Sequence, residues 1–192
     1  MREILTKIII PEGEFEVSAL KFDMSDKPYF AEFYSMWRKL CDESSKIGGT
    51  RQINTPEAMS EGILCMLTGA IKVLDKEPKL PSNVVSSFDC YSPVKKTRIQ
   101  VKASANLTSP TSFGPRSQWD EIFLMDFVVD GKFNGDFRVY QLTSSLIDSV
   151  MINKTTNFID YQKTGKRPRF SIYKKIILPN NIQPIFRDNL FE

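Results

Sequence analysis

The chain is expected to adopt an α+β fold, a central mixed sheet flanked by helices. Three observations point there. Between residues 29 and 45, apolar side chains recur at helical spacing. Residues 98–104 alternate polar and apolar, the period of a half-buried strand. Short strand-like runs are separated by turn-rich stretches, as hairpins require. A length of 192 residues, with 41% hydrophobic and 26% charged, suits one domain, 1–192, with a sizeable core.

In order along the chain, residues 2–10 and 14–22 read as strands joined at Pro11-Glu12-Gly13. Phe30, Phe33, Tyr34, Trp37, Leu40 and Cys41 form the apolar stripe of a first helix, which Gly48-Gly49 ends. A second helix opens at Asn54 or Thr55, with Pro56 and Glu57 suited to its first turn. It is expected to reach about Leu74, before the prolines at 78 and 81. A hairpin turning at Pro93 follows. Residues 122–129 are largely apolar, as in a central strand buried on both faces. Residues 131–135 make a turn, and 137–142 alternate as the antiparallel return. Residues 144–162 are expected to be helical and 169–178 to form a last strand.

Several classes of chemistry are excluded by composition. There is no histidine, which removes Ser-His-Asp and Cys-His catalysis and the His-dependent metal nucleases. Cys41, Cys65 and Cys90 are odd in number and widely spaced, so they suit neither a disulfide framework nor a zinc knuckle. They read as buried apolar fillers in a reducing, cytoplasmic interior. No apolar run is long enough to span a bilayer, and no leader pattern precedes the domain. Phosphate-cradling glycine motifs are absent, so no nucleotide cofactor is expected. The net charge of +3 permits a polyanionic partner without demanding one.

The chemistry concentrates at Asp89, Gln100 and Lys102. In a strand, Gln100 and Lys102 share one face, while Ile99, Val101 and Ala103 share the other. A hairpin through Pro93 returns Asp89 to the polar face. A carboxylate, an amide oxygen and a lysine at one spot can hold a hard divalent cation and orient a water. Alone, Asp89 would read as a turn aspartate and Lys102 as a solvated edge lysine; it is their joint placement that points to a metal site.

These residues resemble the PD-(D/E)XK nuclease superfamily, in which an acidic residue ends one strand and a (D/E)-x-K element lies on the next. Here the first dipeptide is Phe88-Asp89 rather than Pro-Asp, and the second element is Gln100-Val101-Lys102, a departure seen in some branches. The run 109–121, SPTSFGPRSQWDE, and the run 167–172, RPRFSI, extend the similarity to a family of small type II restriction endonucleases. The resemblance spans about residues 61–172.

It implies Mg²⁺-dependent double-strand cleavage of DNA by a homodimer, at a short GC-rich interrupted palindrome. Glu61 would complete the metal shell with Asp89, Gln100 and the Val101 carbonyl, and Lys102 would serve the attacking water. Ser112 and Arg116 in the Ser- and Pro-rich run suit phosphate contacts. Lys163, Lys166, Arg167 and Arg169 form a basic cluster suited to DNA, with Arg51 a further candidate. Trp119 reads as core. Glutamine at position 100 brings no charge, which keeps open a catalytically decayed DNA-binding protein. A structure-directed or repair nuclease on the same scaffold is the other alternative.

Overall fold

The computed structural model describes residues 1–49, 53–74, 88–115 and 117–192. Strands β1 (Arg2–Ile10) and β2 (Gly13–Lys21) form the expected first hairpin. Helix α1 (Lys27–Lys46) buries Phe30, Tyr34, Trp37 and Cys41 of the stripe read from the sequence, whereas Phe33 is half-buried and Leu40, on the flank, is exposed. Helix α2 (Glu57–Thr68) follows, then β3 (Ile71–Val73), β4 (Cys90–Ser92) and β5 (Thr97–Ser104). After a two-residue strand β6 (Thr111–Ser112) come β7 (Glu121–Asp126) and β8 (Asp136–Thr143). Two short helices, α3 (Ser144–Asp148) and α4 (Phe158–Lys163), precede β9 (Arg169–Phe170), a π-helical turn over Tyr173–Ile177, and β10 (Phe186–Asn189).

Eight strands form one mixed sheet in the order β1-β2-β3-β4-β5-β7-β8-β10, with β6 and β9 as a separate antiparallel pair. Among the described residues, only the β5–β7 pairing within the large sheet is parallel. The α+β expectation therefore holds. Strand alternation then sorts the core. Ile99 and Val101 of β5 and Phe123 and Met125 of β7 pack with α1 and α2. Ile122 and Leu124, together with Tyr140 and Leu142 of β8, face a second cluster holding Phe113, Phe158, Phe170 and Ile172. In the parallel register Gln100 lies beside Ile122 and Lys102 beside Leu124. The two polar residues thus sit on the face away from α2.

Helix α2 is apolar almost all round, with every residue from Met59 to Met66 buried. Gly62 lets it approach α1, since a Cβ there would fall 2.5 Å from the Phe30 ring. Cys65 and Cys90 are buried free thiols with their sulfurs 3.4 Å apart, packed as fillers, as is Cys41. Among the described residues no helix is long and apolar enough to cross a membrane.

Three expected elements are corrected. The second helix does not reach Leu74: Gly69 takes a left-handed conformation (φ 72) and its N–H caps the Cys65 carbonyl at 2.9 Å. Residues 71–73 then join the sheet as β3, between β2 and β4. Pro56, with no side-chain cap, stands at the helix start, and the Thr55 hydroxyl is buried without a partner among the described residues.

The stretch 144–162 is broken, not continuous. The Asn153 side chain accepts from the N–H groups of Thr155 and Thr156 at 3.0 and 2.9 Å, a local turn that competes with helix. Asn157 then caps α4 through the Asp160 N–H at 2.8 Å. Strand 169–178 shrinks to Arg169–Phe170, because Ile176 and Ile177 are buried from a π-helical turn that starts beside Ser171.

Candidate active site

The site grows from the β4–β5 hairpin. Cys90, Tyr91 and Ser92 pair with Ile99, Arg98 and Thr97 across a turn at 93–96. One residue before β4, the Asp89 N–H still donates to the Ile99 carbonyl at 2.9 Å. There β4 gives out, and the Asp89 side chain takes over the pairing. Its Oδ2 accepts from the Val101 N–H at 2.7 Å and from the Gln100 amide Nε2. Asp89 therefore fills the fork where β4 leaves β5. In strand geometry the carbonyls of Ile99 and Val101 point to the same side, so the Val101 carbonyl also faces the fork.

Burial pushes the Asp89 carboxyl above the ordinary aspartate range, while the Val101 N–H and the positive charge of Lys102 pull it back. Lys102 lies on the same face of β5, its Nζ 5.7 Å from the centroid of the Phe113 ring. Phe113 stacks on Phe170 at 5.2 Å and meets Phe158 edge-on at 5.1 Å. Through that ring, Lys102 is joined to the β6–β9 pair.

Glu61 is buried in α2, its side chain 9% exposed, and pairs with Lys72 of β3 at 2.5 Å. Burial pushes its carboxyl up to about 7, the Lys72 hydrogen bond pulls it down, and the charge of Asp89 pushes it up again. Burial works against the Lys72 ammonium too, but pairing with Glu61 more than offsets this and holds it above the usual lysine value. The two directions agree with exposure: the side chain of Lys72, 26% exposed, keeps more water than that of Glu61. The charge of Asp89 thus reaches Glu61, and that of Glu57 reaches both carboxyls.

The recognition candidates fall at the rim. Ser112 pairs in register with Arg169, both exposed, and the Phe113 N–H donates to the Pro168 carbonyl at 3.0 Å. The two runs read separately from the sequence are thus one structure. Gln162 of α4 ties in by donating to the Gly114 carbonyl at 2.8 Å. Lys163 is paired with Asp160 at 3.2 Å, and Lys166 stands 5.8 Å from the Tyr161 ring centroid. Arg167 is exposed. Arg51 and Arg116 lie outside the described residues. Trp119 is half-buried, packed beside Phe113.

Sequence reasoning missed Lys72 because it assigned that residue to the second helix. There it would stand about 16 Å along the axis from Glu61, whereas the Gly69 turn brings it alongside. A lone lysine in Ala70-Ile71-Lys72-Val73 was the available signal. It also missed Asp126, fully buried at the end of β7 with one carboxylate oxygen unpartnered among the described residues.

Comparison with known proteins then decides the family. The model of the Bsp6I restriction endonuclease family matches residues 22–179. The chain belongs to that family. It is also 29% identical over 174 residues, 89% of this chain and 92% of the relative, to the type II restriction enzyme Bsp6I of Bacillus sp. (strain RFL6). No solved structure matches. The span that matches this restriction endonuclease family contains the fork, the β6–β9 pair and the basic cluster, so the expected resemblance to small type II restriction endonucleases is met.

Among the described residues no group of three or more carboxylate, cysteine or histidine side chains is placed to hold a metal. The fork offers donors of another composition, the Asp89 carboxylate, the Gln100 amide oxygen and the Val101 carbonyl, with the Glu61 carboxylate held on the α2 side by Lys72. All are hard oxygens, which suit Mg²⁺. Two of them are buried carboxyls raised by loss of water, a burden that a bound cation would relieve.

Proposed function

We propose that this chain is a type II restriction endonuclease that hydrolyses phosphodiester bonds at a specific site in double-stranded DNA. On this reading it is a single nuclease domain with a PD-(D/E)XK-type core, uses Mg²⁺, and acts as a homodimer. The observation that carries the proposal is the fork, where Asp89 is bound to Gln100 and Val101 with Lys102 on the adjoining position of the same face. The family relationship supports the substrate class.

Asp89 and Glu61, with the amide oxygen of Gln100 and the carbonyl of Val101, would hold the cation. Gln100 now turns its NH₂ to Asp89, so a half-turn of the terminal amide would present its oxygen instead. When bound, Mg²⁺ supplies Lewis acidity and offsets charge that builds on the phosphate and the leaving oxygen. Lys102, backed by Phe113, orients the attacking water and holds positive charge beside the scissile phosphate. The β6–β9 pair presents Ser112 and Arg169 beside that ring, where they would meet the flanking phosphates, and the exposed Arg167 would read a base edge. A twofold-symmetric target and cleavage of both strands are served by two equivalent sites, one in each protomer.

The test is digestion of plasmid and phage DNA with Mg²⁺ or with EDTA, followed by sequencing of the fragment ends. Discrete fragments with one common end sequence, formed only with Mg²⁺, are expected. Cutting confined to branched or damaged DNA would instead indicate a structure-directed nuclease. The uncharged Gln100 favours the second reading, a decayed DNA-binding protein, and binding without any Mg²⁺-dependent cutting would establish it.

A further inference from the structure

We infer that Lys72 is a placeholder cation, an ammonium that occupies the carboxylate site while no metal is there and withdraws when a divalent ion enters. The inference rests on the reading of Glu61 and Asp89 as ligands. Its own basis is geometric. Lys72 Nζ lies 2.5 Å from Glu61 Oε2, closing the buried carboxylate of α2. The contact is made by a short path: α2 ends at Gly69, and β3 turns Lys72 back along the helix that carries Glu61. Its backbone is fixed, since Lys72 pairs in register with Leu20 and its neighbour Ile71 with Tyr91.

Without a cation, Glu61 would be a carboxylate in a poorly hydrated place, and the charge of Asp89 already acts on it. One ammonium offsets that repulsion. Lysine suits a temporary role better than arginine, because it makes a point contact through a flexible stem and not a planar two-pronged grip. The Lys72 side chain is 26% exposed where that of Glu61 is 9%, so the ammonium can swing into water while the carboxylate stays in place. A divalent ion entering the site must therefore displace Lys72 from Glu61, and the competition weakens metal binding. Lys72 is on this account a positioning residue that touches neither substrate nor reacting atoms.

The experiment uses the full chain stripped of metal and titrated with Mn²⁺ as the probe, free Mn²⁺ being read by electron paramagnetic resonance. Lys72→Met, Lys72→Gln and Asp89→Asn are compared with the unaltered protein, and thermal melting is recorded in EDTA. Both Lys72 variants should bind Mn²⁺ roughly tenfold more tightly, as removal of a competing charge near two carboxylates predicts, while melting at a lower temperature. Asp89→Asn should lose the Mn²⁺ site. A merely structural lysine would lower melting without tightening metal binding. Should Lys72→Met fail to fold, Lys72→Gln keeps a hydrogen-bond donor to Glu61 and carries the same expectation. If both Lys72 variants bind Mn²⁺ as the unaltered protein does, or more weakly, while Asp89→Asn has lost it, the placeholder role is overturned and the site stands. If Asp89→Asn binds normally, the site itself falls and the inference with it.

Discussion

The fork at Asp89 and the basic rim at 163–169 are built on opposite physical plans. At the fork the carboxylates are held by partners on neighbouring strands of the sheet. Asp89 is held by residues eleven and twelve positions away, and Glu61 by a lysine on another element. Water is largely excluded, so charges there act strongly and carboxyls are raised. At the rim the contacts are local and wet: Lys163 pairs with Asp160 three residues before it, the two side chains 71% and 57% exposed. Such pairs are worth little and release readily. The difference teaches where positions matter and where only summed charge matters. The Phe113 ring couples the two, facing Lys102 on one side and stacking on Phe170 beside Arg169.

The largest expected break falls at the fork. Asp89→Ala or Lys102→Ala should lower cleavage at least about 1,000-fold, the scale of losing a group that acts in the transition state. Binding to the same duplex should change less than about threefold, because neither residue docks the DNA. Single-turnover cleavage and gel-shift titration of each variant measure the two effects. Near-normal turnover in a folded Asp89→Ala protein would remove the fork from the chemistry.

The next effect is on stability and follows from the burial contrast. Glu61 has its carboxyl raised from 4.5 to about 7 in the folded chain, so the folded state favours the protonated form. That contribution is complete below pH 4.5 and is lost as pH rises through 7. Its ceiling is about 3 kcal/mol. Asp89 and Asp126, also raised by burial, slope the same way, whereas Asp120, where burial is outweighed by the hydrogen bonds and charge of Arg98 and the carboxyl is held low, slopes against them. Glu61→Gln isolates one member. Urea unfolding in EDTA between pH 5 and 8 should show the variant losing less stability with rising pH than the unaltered chain. Parallel curves would mean that Glu61 is ionised in both states.

The same contrast explains what could be read from the chain alone. The first hairpin, α1 and the Asp89 hairpin were legible because each carries an uninterrupted local period and a turn signal. The nearness of Asp89 and Gln100 followed from that alternation. Strand β3 was not legible: three residues are too few to show a period, and its pairing partners lie on β2 and β4, far away in sequence. With β3 went Lys72. The region 144–162 misled because its helical spacing is real, but Asn153 and Asn157 spend their side chains on the backbone and interrupt it. The closeness of Ser112 to Arg169 has no local signal at all, since it arises from a two-residue pairing between distant strands.

A smaller effect should sharpen the reading of the fork. Gln100→Glu adds a carboxylate where the amide now donates to Asp89. Without metal the exchange replaces a hydrogen bond by repulsion, so the melting temperature in EDTA should fall. With Mg²⁺ the added charge should lower the concentration needed for half-maximal cleavage by about tenfold. A Gln100→Glu protein that is inactive at every Mg²⁺ concentration, beside an active Gln100→Ala protein, would show that position 100 offers no ligand.

The smallest effects belong to the rim, where the two lysines should differ from each other. Each lysine that neutralises a phosphate releases counterions and contributes about 0.9 to the slope of log affinity against log salt. Lys166 faces only the Tyr161 ring among the described residues, so Lys166→Ala should remove close to that full amount on any duplex. Lys163 must first give up Asp160, and Lys163→Ala should therefore cost less affinity and less slope. Asp160→Ala, which frees Lys163, should bind slightly more tightly at low salt and lose that advantage at high salt, because screening weakens the exposed pair and the phosphate contact together. Binding of the three variants to cognate and scrambled duplexes at several salt concentrations separates these outcomes. Equal slopes in all of them would place the rim off the DNA, and recognition would then have to be sought elsewhere on the surface.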